Sequence, residues 1–166
     1  MTQAQVQQLL HQRKINKTLT KLQLIETHIS WLLLSPEYVF KIKKPVRYSF
    51  LDFSTLEKRK FYCQEEVRLN RRLSPDMYLG VVPIRKISET FSIGEGSGQI
   101  VDYAVLMRRM DETRQMDILL RNNEVSDKHI QQLANQLAAF HISAKRVKTP
   151  IDVPQMEKDF AGILEV

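Results

Sequence analysis

Three side chains in the first half of the chain have the types and spacing for phosphate chemistry. The run Tyr38-Val-Phe-Lys-Ile-Lys43 alternates, so as a strand it carries Val39, Lys41 and Lys43 on one face and Tyr38, Phe40 and Ile42 on the other. Further along, Tyr62, Glu66, Leu69 and Leu73 are separated by steps of 4, 3 and 4, which sets Glu66 on the same helical stripe as the apolar residues. Glu65 is turned about 100° away. An ammonium is a point charge on a flexible stem, so holding it over phosphates takes a carboxylate fixed on a neighbouring element. A carboxylate on a buried stripe in turn needs a cation beside it to offset its desolvation. Lys41 lies mid-strand, whereas Lys43 sits near the strand-ending Pro45, which makes Lys41 the phosphate candidate and Glu66 its partner. The plainer alternative has Lys41 snorkelling from a sheet edge and Glu66 paired with a helical arginine such as Arg59.

These residues need a strand and a helix to carry them. The β-forming stretch from Glu26 to Ser35, the turn signal Ser35-Pro36-Glu37 and the alternation of residues 38–43 predict a hairpin. Ser54-Thr-Leu-Glu57 is a capping-box pattern, and Ser74-Pro75 stops what it starts, which predicts a helix over about 55–73. Residues 78–88 and 99–107 read as strands of a second hairpin around Gly94-Glu-Gly-Ser-Gly98. That glycine run matches neither phosphate-binding glycine spacing and has no helix directly behind it, so it reads as a turn. Val6, Leu9, Leu10 and Arg13 predict an amphipathic helix over 2–13 that covers something. After residue 110 the pattern is helical: a short helix at 116–120, a longer one at 126–144 with Ile130, Leu133, Ala134, Leu137 and His141 on one face, and a weakly patterned tail from Pro150 in which Met156, Phe160, Ile163 and Leu164 could begin another. Strands with one crossing helix, then helices, describe an α+β chain.

The segments Glu26-Thr-His-Ile-Ser-Trp31, Tyr38-Val-Phe-Lys-Ile-Lys-Lys-Pro45, Phe50-Leu-Asp-Phe-Ser-Thr-Leu-Glu57 and Leu69-Asn-Arg-Arg-Leu73 resemble an uncharacterised bacterial branch of the aminoglycoside phosphotransferase-like proteins. Val81-Val-Pro-Ile84, Tyr103-Ala-Val-Leu-Met-Arg-Arg109 and Leu133-Ala-Asn-Gln-Leu-Ala-Ala-Phe-His141 fit the same branch, so the resemblance covers nearly the whole chain. It implies a protein-kinase-like N-terminal sheet lobe over 1–110 with a crossing helix, then a hinge and the start of a helical C-terminal lobe over 111–166. By the same resemblance Lys41 contacts the phosphates of ATP and Glu66 is its helical partner. Met107 gates the pocket, and Arg108, Arg109 and Met110 form the hinge whose backbone meets the adenine, so that Met107 and Arg109 join Lys41 and Glu66 as nucleotide-binding residues. Thr27, His28 and Ser30 occupy a hairpin loop that such proteins fold over phosphates, and His141 ends the long helix as a packing or capping group.

Phosphoryl transfer also takes an aspartate and an asparagine in a loop after the long helix and a second aspartate for magnesium. Phe140-His-Ile-Ser143 contains no aspartate, and Asp152 and Asp159 lie in no such motif. The expectation is therefore the nucleotide-side portion of a phosphotransferase, inactive by itself, with magnesium binding and an unidentified small-molecule acceptor dependent on a second lobe. The alternative is a non-catalytic interaction module that self-associates or binds a partner chain through the face the second lobe would cover. The excess of 25 basic over 19 acidic residues, +6, suits polyanions in general, but aromatic and basic residues are not interleaved and no nucleic-acid motif is present, so nucleic acid is not the expected partner. Cys63 alone excludes an intrachain disulfide, and the four histidines lack metal-ligand spacing. Apolar runs such as Trp31 to Leu34 are far short of the ~20 residues of a membrane span. With no secretory pattern at the start, the expected setting is cytoplasmic.

Overall fold

The alternation of residues 38–43 is realised in an interior strand of an eight-stranded sheet. The computed structural model describes residues 1–15, 18–146, 148 and 150–163. In chain order the elements are α1 (Gln3–Gln12), β1 (Lys14–Ile15), β2 (Thr18–Leu19), β3 (Gln23–Glu26), β4 (Ser30–Leu34), β5 (Tyr38–Lys43), β6 (Arg47–Tyr48), β7 (Leu51–Asp52), α2 (Leu56–Asn70), β8 (Tyr78–Ile87), β9 (Thr90–Ile93) and β10 (Gln99–Arg108). A 3-10 turn (Glu112–Arg114) and the helices α3 (Met116–Arg121), α4 (Asp127–Ser143) and α5 (Val153–Ile163) follow. The sheet order is β2-β1-β9-β8-β10-β5-β4-β3, antiparallel except where β1 meets β9, and β6 with β7 makes a separate ribbon. The chain is mixed α+β, as the order of strand and helix patterns requires.

Both faces of the sheet are covered, and strand parity decides which residues go where. Phe40 and Ile42 join Trp31, Leu33, Phe91 and Ile93 in a core closed by Val6 and Leu9 of α1. Val39 packs with the second core, in which Cys63 and Val67 of α2 meet Val105 and Met107 of β10. Lys41 and Lys43 share Val39's parity, so they lie on the α2 side. At roughly 1.5–3 kcal/mol for each large apolar side chain removed from water, the two cores hold both helices to the sheet.

Several boundaries differ from expectation. The cap of α2 is Thr55, whose Oγ1 accepts from the Lys58 amide at 3.3 Å, because the Ser54 amide and hydroxyl are both committed to Asp52 Oδ1. The helix ends at Asn70 and the chain turns through Leu73. Its buried stripe is Arg59, Cys63 and Val67, while Tyr62 and Leu69 are exposed, so the stripe lies one residue over from the expected one and Glu66 borders it. In the 26–35 segment Glu26 ends β3, residues 27–29 turn, and β4 begins at Ser30. The second hairpin contains an extra strand, since β8 turns back at once into β9 and the glycine run then carries the chain over to β10 on the other side of β8. Gly98 lies at φ +109°, where a Cβ would come within 2.7 Å of the Lys86 carbonyl oxygen, so this glycine serves chain approach. The tail is helical from Val153, and Leu164 lies outside the described residues.

Candidate functional site

The site is assembled where β5 passes under α2. Glu66, just past the middle of the helix, directs its carboxylate at the sheet. Lys41 Nζ donates to Oε1 at 2.8 Å and Lys43 Nζ donates to Oε2 at 2.6 Å. One carboxylate therefore holds two ammoniums, and the three groups carry a net charge of about +1. Their surroundings differ: the side chain of Lys43 is 5% exposed, Glu66 12% and Lys41 28%. Lys43 also lies 4.6 Å from the centre of the Phe53 ring, a cation–π contact that helps offset its desolvation.

Burial pushes the Glu66 carboxyl upward, but the Lys43 charge and the hydrogen bonds from both lysines outweigh it and hold the group below the usual glutamate range. Tyr78, close to the same cluster, is raised by burial and by Glu66, with Lys41 opposing. Burial pushes the Cys63 thiol up to about 12, and a thiol that stays protonated is no nucleophile. Beside Lys41 the sheet is apolar: Leu32 is its register partner on β4, and Ile25 of β3, opposite Leu32, is exposed. The lysine pair is thus bordered by a short apolar shelf that continues toward the sheet edge.

The other expected site residues stand at different distances from this centre, and Ser30 is in register with Lys43 itself. Met107 is in register with Val39, one pleat repeat from the Lys41–Val105 pair, roughly 7 Å along the strand. Its side chain is buried against α2. At the end of β10, the Arg108 amide donates to Met77 O and the Arg109 amide to Glu37 O, both at 2.8 Å. The Arg109 guanidinium bonds the Ser35 carbonyl at 3.2 Å and pairs with Glu112 at 3.0 Å, which braces the β4–β5 turn. Thr27 and Ser30 close the β3–β4 turn on themselves, the Thr27 hydroxyl donating to Ser30 O and accepting from the Ser30 amide, each at 3.0 Å. His28 is exposed at the tip of that turn. His141 is exposed and stands edge-on to Phe140.

Two features escaped the sequence reading. Lys43 was set aside for its nearness to Pro45, although its parity with Lys41 pointed to the same face. Asp102, inside an otherwise apolar strand, was the signal for a buried ion pair. It accepts from Arg59 Nε at 2.8 Å and also pairs with the amino group of Met1. Arg59 additionally donates to the carbonyls of Phe53 and Ser54. The alternative pairing of Glu66 with Arg59 is thereby overturned, since Arg59 is committed to Asp102 at the start of the helix.

Among the described residues no group of three or more acidic, histidine or cysteine side chains could hold a metal ion, and no helix is long and apolar enough to cross a membrane. In sequence the chain is 31% identical over 121 residues to uncharacterised proteins of Mycobacterium bovis and Mycobacterium tuberculosis. The match covers 73% of this chain and 22% of the relatives' length. No family model matches the chain, and no solved structure matches it.

Proposed function

We propose that the chain is the nucleotide-side portion of an ATP-dependent phosphotransferase resembling the aminoglycoside phosphotransferases. The observation that carries this reading is the ion-paired Lys41, aimed by Glu66 at 2.8 Å and left open to solvent beside an apolar shelf. A cation held in place but not enclosed suits a ligand's phosphates. The protein-kinase-like arrangement, a sheet lobe over 1–110 followed by a hinge and the first helices of a second lobe, is supported by the strand order. A meander of β3, β4 and β5 is followed by the single crossing helix α2, and β10 then inserts between β5 and β8.

In this reading Lys41 binds the phosphates, Glu66 orients it, and Met107 and the segment through Arg109 border the adenine. The Arg108 and Arg109 amides are already engaged, so the adenine edge uses the remaining backbone groups of that segment. Magnesium would be held by groups beyond this site, since the Glu66 carboxylate is taken by two lysines. The acceptor, a small molecule, and the base that activates it would belong to a second lobe, and the setting is cytoplasmic.

Titration of the chain with ATP, followed by calorimetry, tests the reading. Weak, saturable binding that is lost in Lys41→Met but kept in Arg47→Met, at an exposed position outside the pair, is the expected result. Equal ATP binding with methionine at position 41 would overturn the role of that lysine.

A second reading is favoured by α4. Ile130, Leu133 and Leu137 are all exposed along one face of this helix, an apolar stripe of the kind that marks an interaction surface. In that reading the chain is a non-catalytic module that self-associates or binds a partner through α4, and sedimentation of the isolated chain separates it from a stable monomer.

A further inference from the structure

The two lysines at Glu66 are not equivalent. Lys43 is almost enclosed, with its ammonium between the Phe53 ring and Glu66 Oε2, at 4.6 Å and 2.6 Å. Lys41 is more than five times as exposed, at 28% against 5%, and contributes one of its three N–H donors to Oε1. Were Lys43 absent, both carboxylate oxygens would fall to Lys41. The pair would then sum to zero charge and Lys41 would be drawn toward the helix.

We propose that Lys43 is the positioning residue of the site: seated on Phe53 and occupying one oxygen of Glu66, it keeps the Lys41 ammonium singly held, net positive and able to turn toward an anionic ligand. This rests on the reading of Lys41 as the phosphate-binding lysine and gives Lys43 a role of its own beside it. Burial aside, the Lys43 charge is the largest single influence on Glu66, ahead of the Lys41 hydrogen bond, as an anchor requires. Phe53 is buried and makes an edge contact with Tyr62 at 5.2 Å, so the surface on which Lys43 rests is itself fixed by α2.

The test uses inorganic tripolyphosphate as the probe and NMR of the lysine side-chain and glutamate carboxyl resonances in the full chain. In the wild type, tripolyphosphate shifts the Lys41 resonance and leaves Lys43 unmoved. Lys43→Met raises the Glu66 titration toward its ordinary value and weakens the Lys41 response by about tenfold, the effect of losing one nearby unit of positive charge. Lys43→Arg restores both. Lys41→Met removes the response while Glu66 still titrates below its ordinary range. Where Lys43→Met fails to fold, Phe53→Leu, which keeps apolar volume and deletes the ring, gives a smaller change in the same direction.

The proposal is overturned if Lys43 is the ammonium that shifts, or if Lys43→Met, or Phe53→Leu in its place, leaves both the Glu66 titration and the Lys41 response unchanged. A wild-type chain in which tripolyphosphate moves neither lysine removes the phosphate reading and the ligand-facing half of this proposal, while the Glu66 titration still decides whether Lys43 is the anchor.

Discussion

Two charge clusters lie along α2, and they are built to opposite rules. At the start of the helix, Arg59 and Asp102 are sealed, with the guanidinium also bonded to two backbone carbonyls and the carboxylate to the Met1 amine and the Tyr103 amide. At Glu66, two turns on, each carboxylate oxygen takes one lysine, but one of these cations stands partly in solvent. A cluster whose opposite charges are paired and enclosed inside the protein serves the fold. A cluster with one open cation can still exchange a partner, and that is what separates a candidate site from an internal brace.

The contrast is sharpest in stability. Asp102→Ala leaves the enclosed Arg59 without its counter-charge and should cost about 3–5 kcal/mol in urea unfolding, whereas replacing both members with apolar residues should recover much of that loss. If Asp102→Ala were neutral, the cluster would not be a brace. Glu66→Gln comes next: Lys43 loses its anionic partner in a nearly dry setting, and a loss of about 2–3 kcal/mol is expected. Lys41→Met, by comparison, removes a partly solvated cation and should change stability by no more than about 1 kcal/mol while abolishing phosphate binding. Equal destabilisation by Lys41→Met and Lys43→Met would erase the distinction between the two lysines.

Smaller effects follow from pH. The Glu66 carboxyl is depressed in the fold, so its contribution is present above the ordinary glutamate value and is lost as pH falls through the lower folded value. Acid unfolding of Glu66→Gln should therefore be less steep in that window than that of the wild type. Cys63 is the opposite case. Its thiol is raised to about 12, so the unfolded chain ionises first and stability declines as pH rises above the ordinary thiol value toward the folded one. At neutral pH the folded chain should leave Cys63 unalkylated, with modification tracking unfolding. The smallest effect on folding is expected from Leu133→Glu on the exposed face of α4, within about 0.5 kcal/mol of the wild type. Its sedimentation, against a self-associating wild type, would decide for the interaction-module reading.

The legible part of the site was the part that rests on periodicity. Alternation placed Lys41 and Lys43 on Val39's face, and the 3.6-residue repeat brought Glu66 toward the same side as the apolar residues, which was near enough for the pair to be inferred. The helix phase differs from expectation by one residue because the buried stripe includes an arginine. Arg59 belongs to the stripe only because Asp102, far along the chain, neutralises it. Strand β9 and the exchange of neighbours around β8 were missed because four alternating residues are too short a pattern to mark a strand, and it is pairing with β8 that makes it one.

The sequence by itself determined the longer strands and the helices, the parity of the lysines and the need of Glu66 for a cation, because these follow from side-chain spacing along one element. Which cation answers was decided only in three dimensions. Lys43 reaches Glu66 because β5 runs beneath α2, Phe53 supplies the ring on which its ammonium rests, and Arg59 is drawn away to Asp102. Partner choice between charges depends on distance and desolvation across elements, and neither is written in local order.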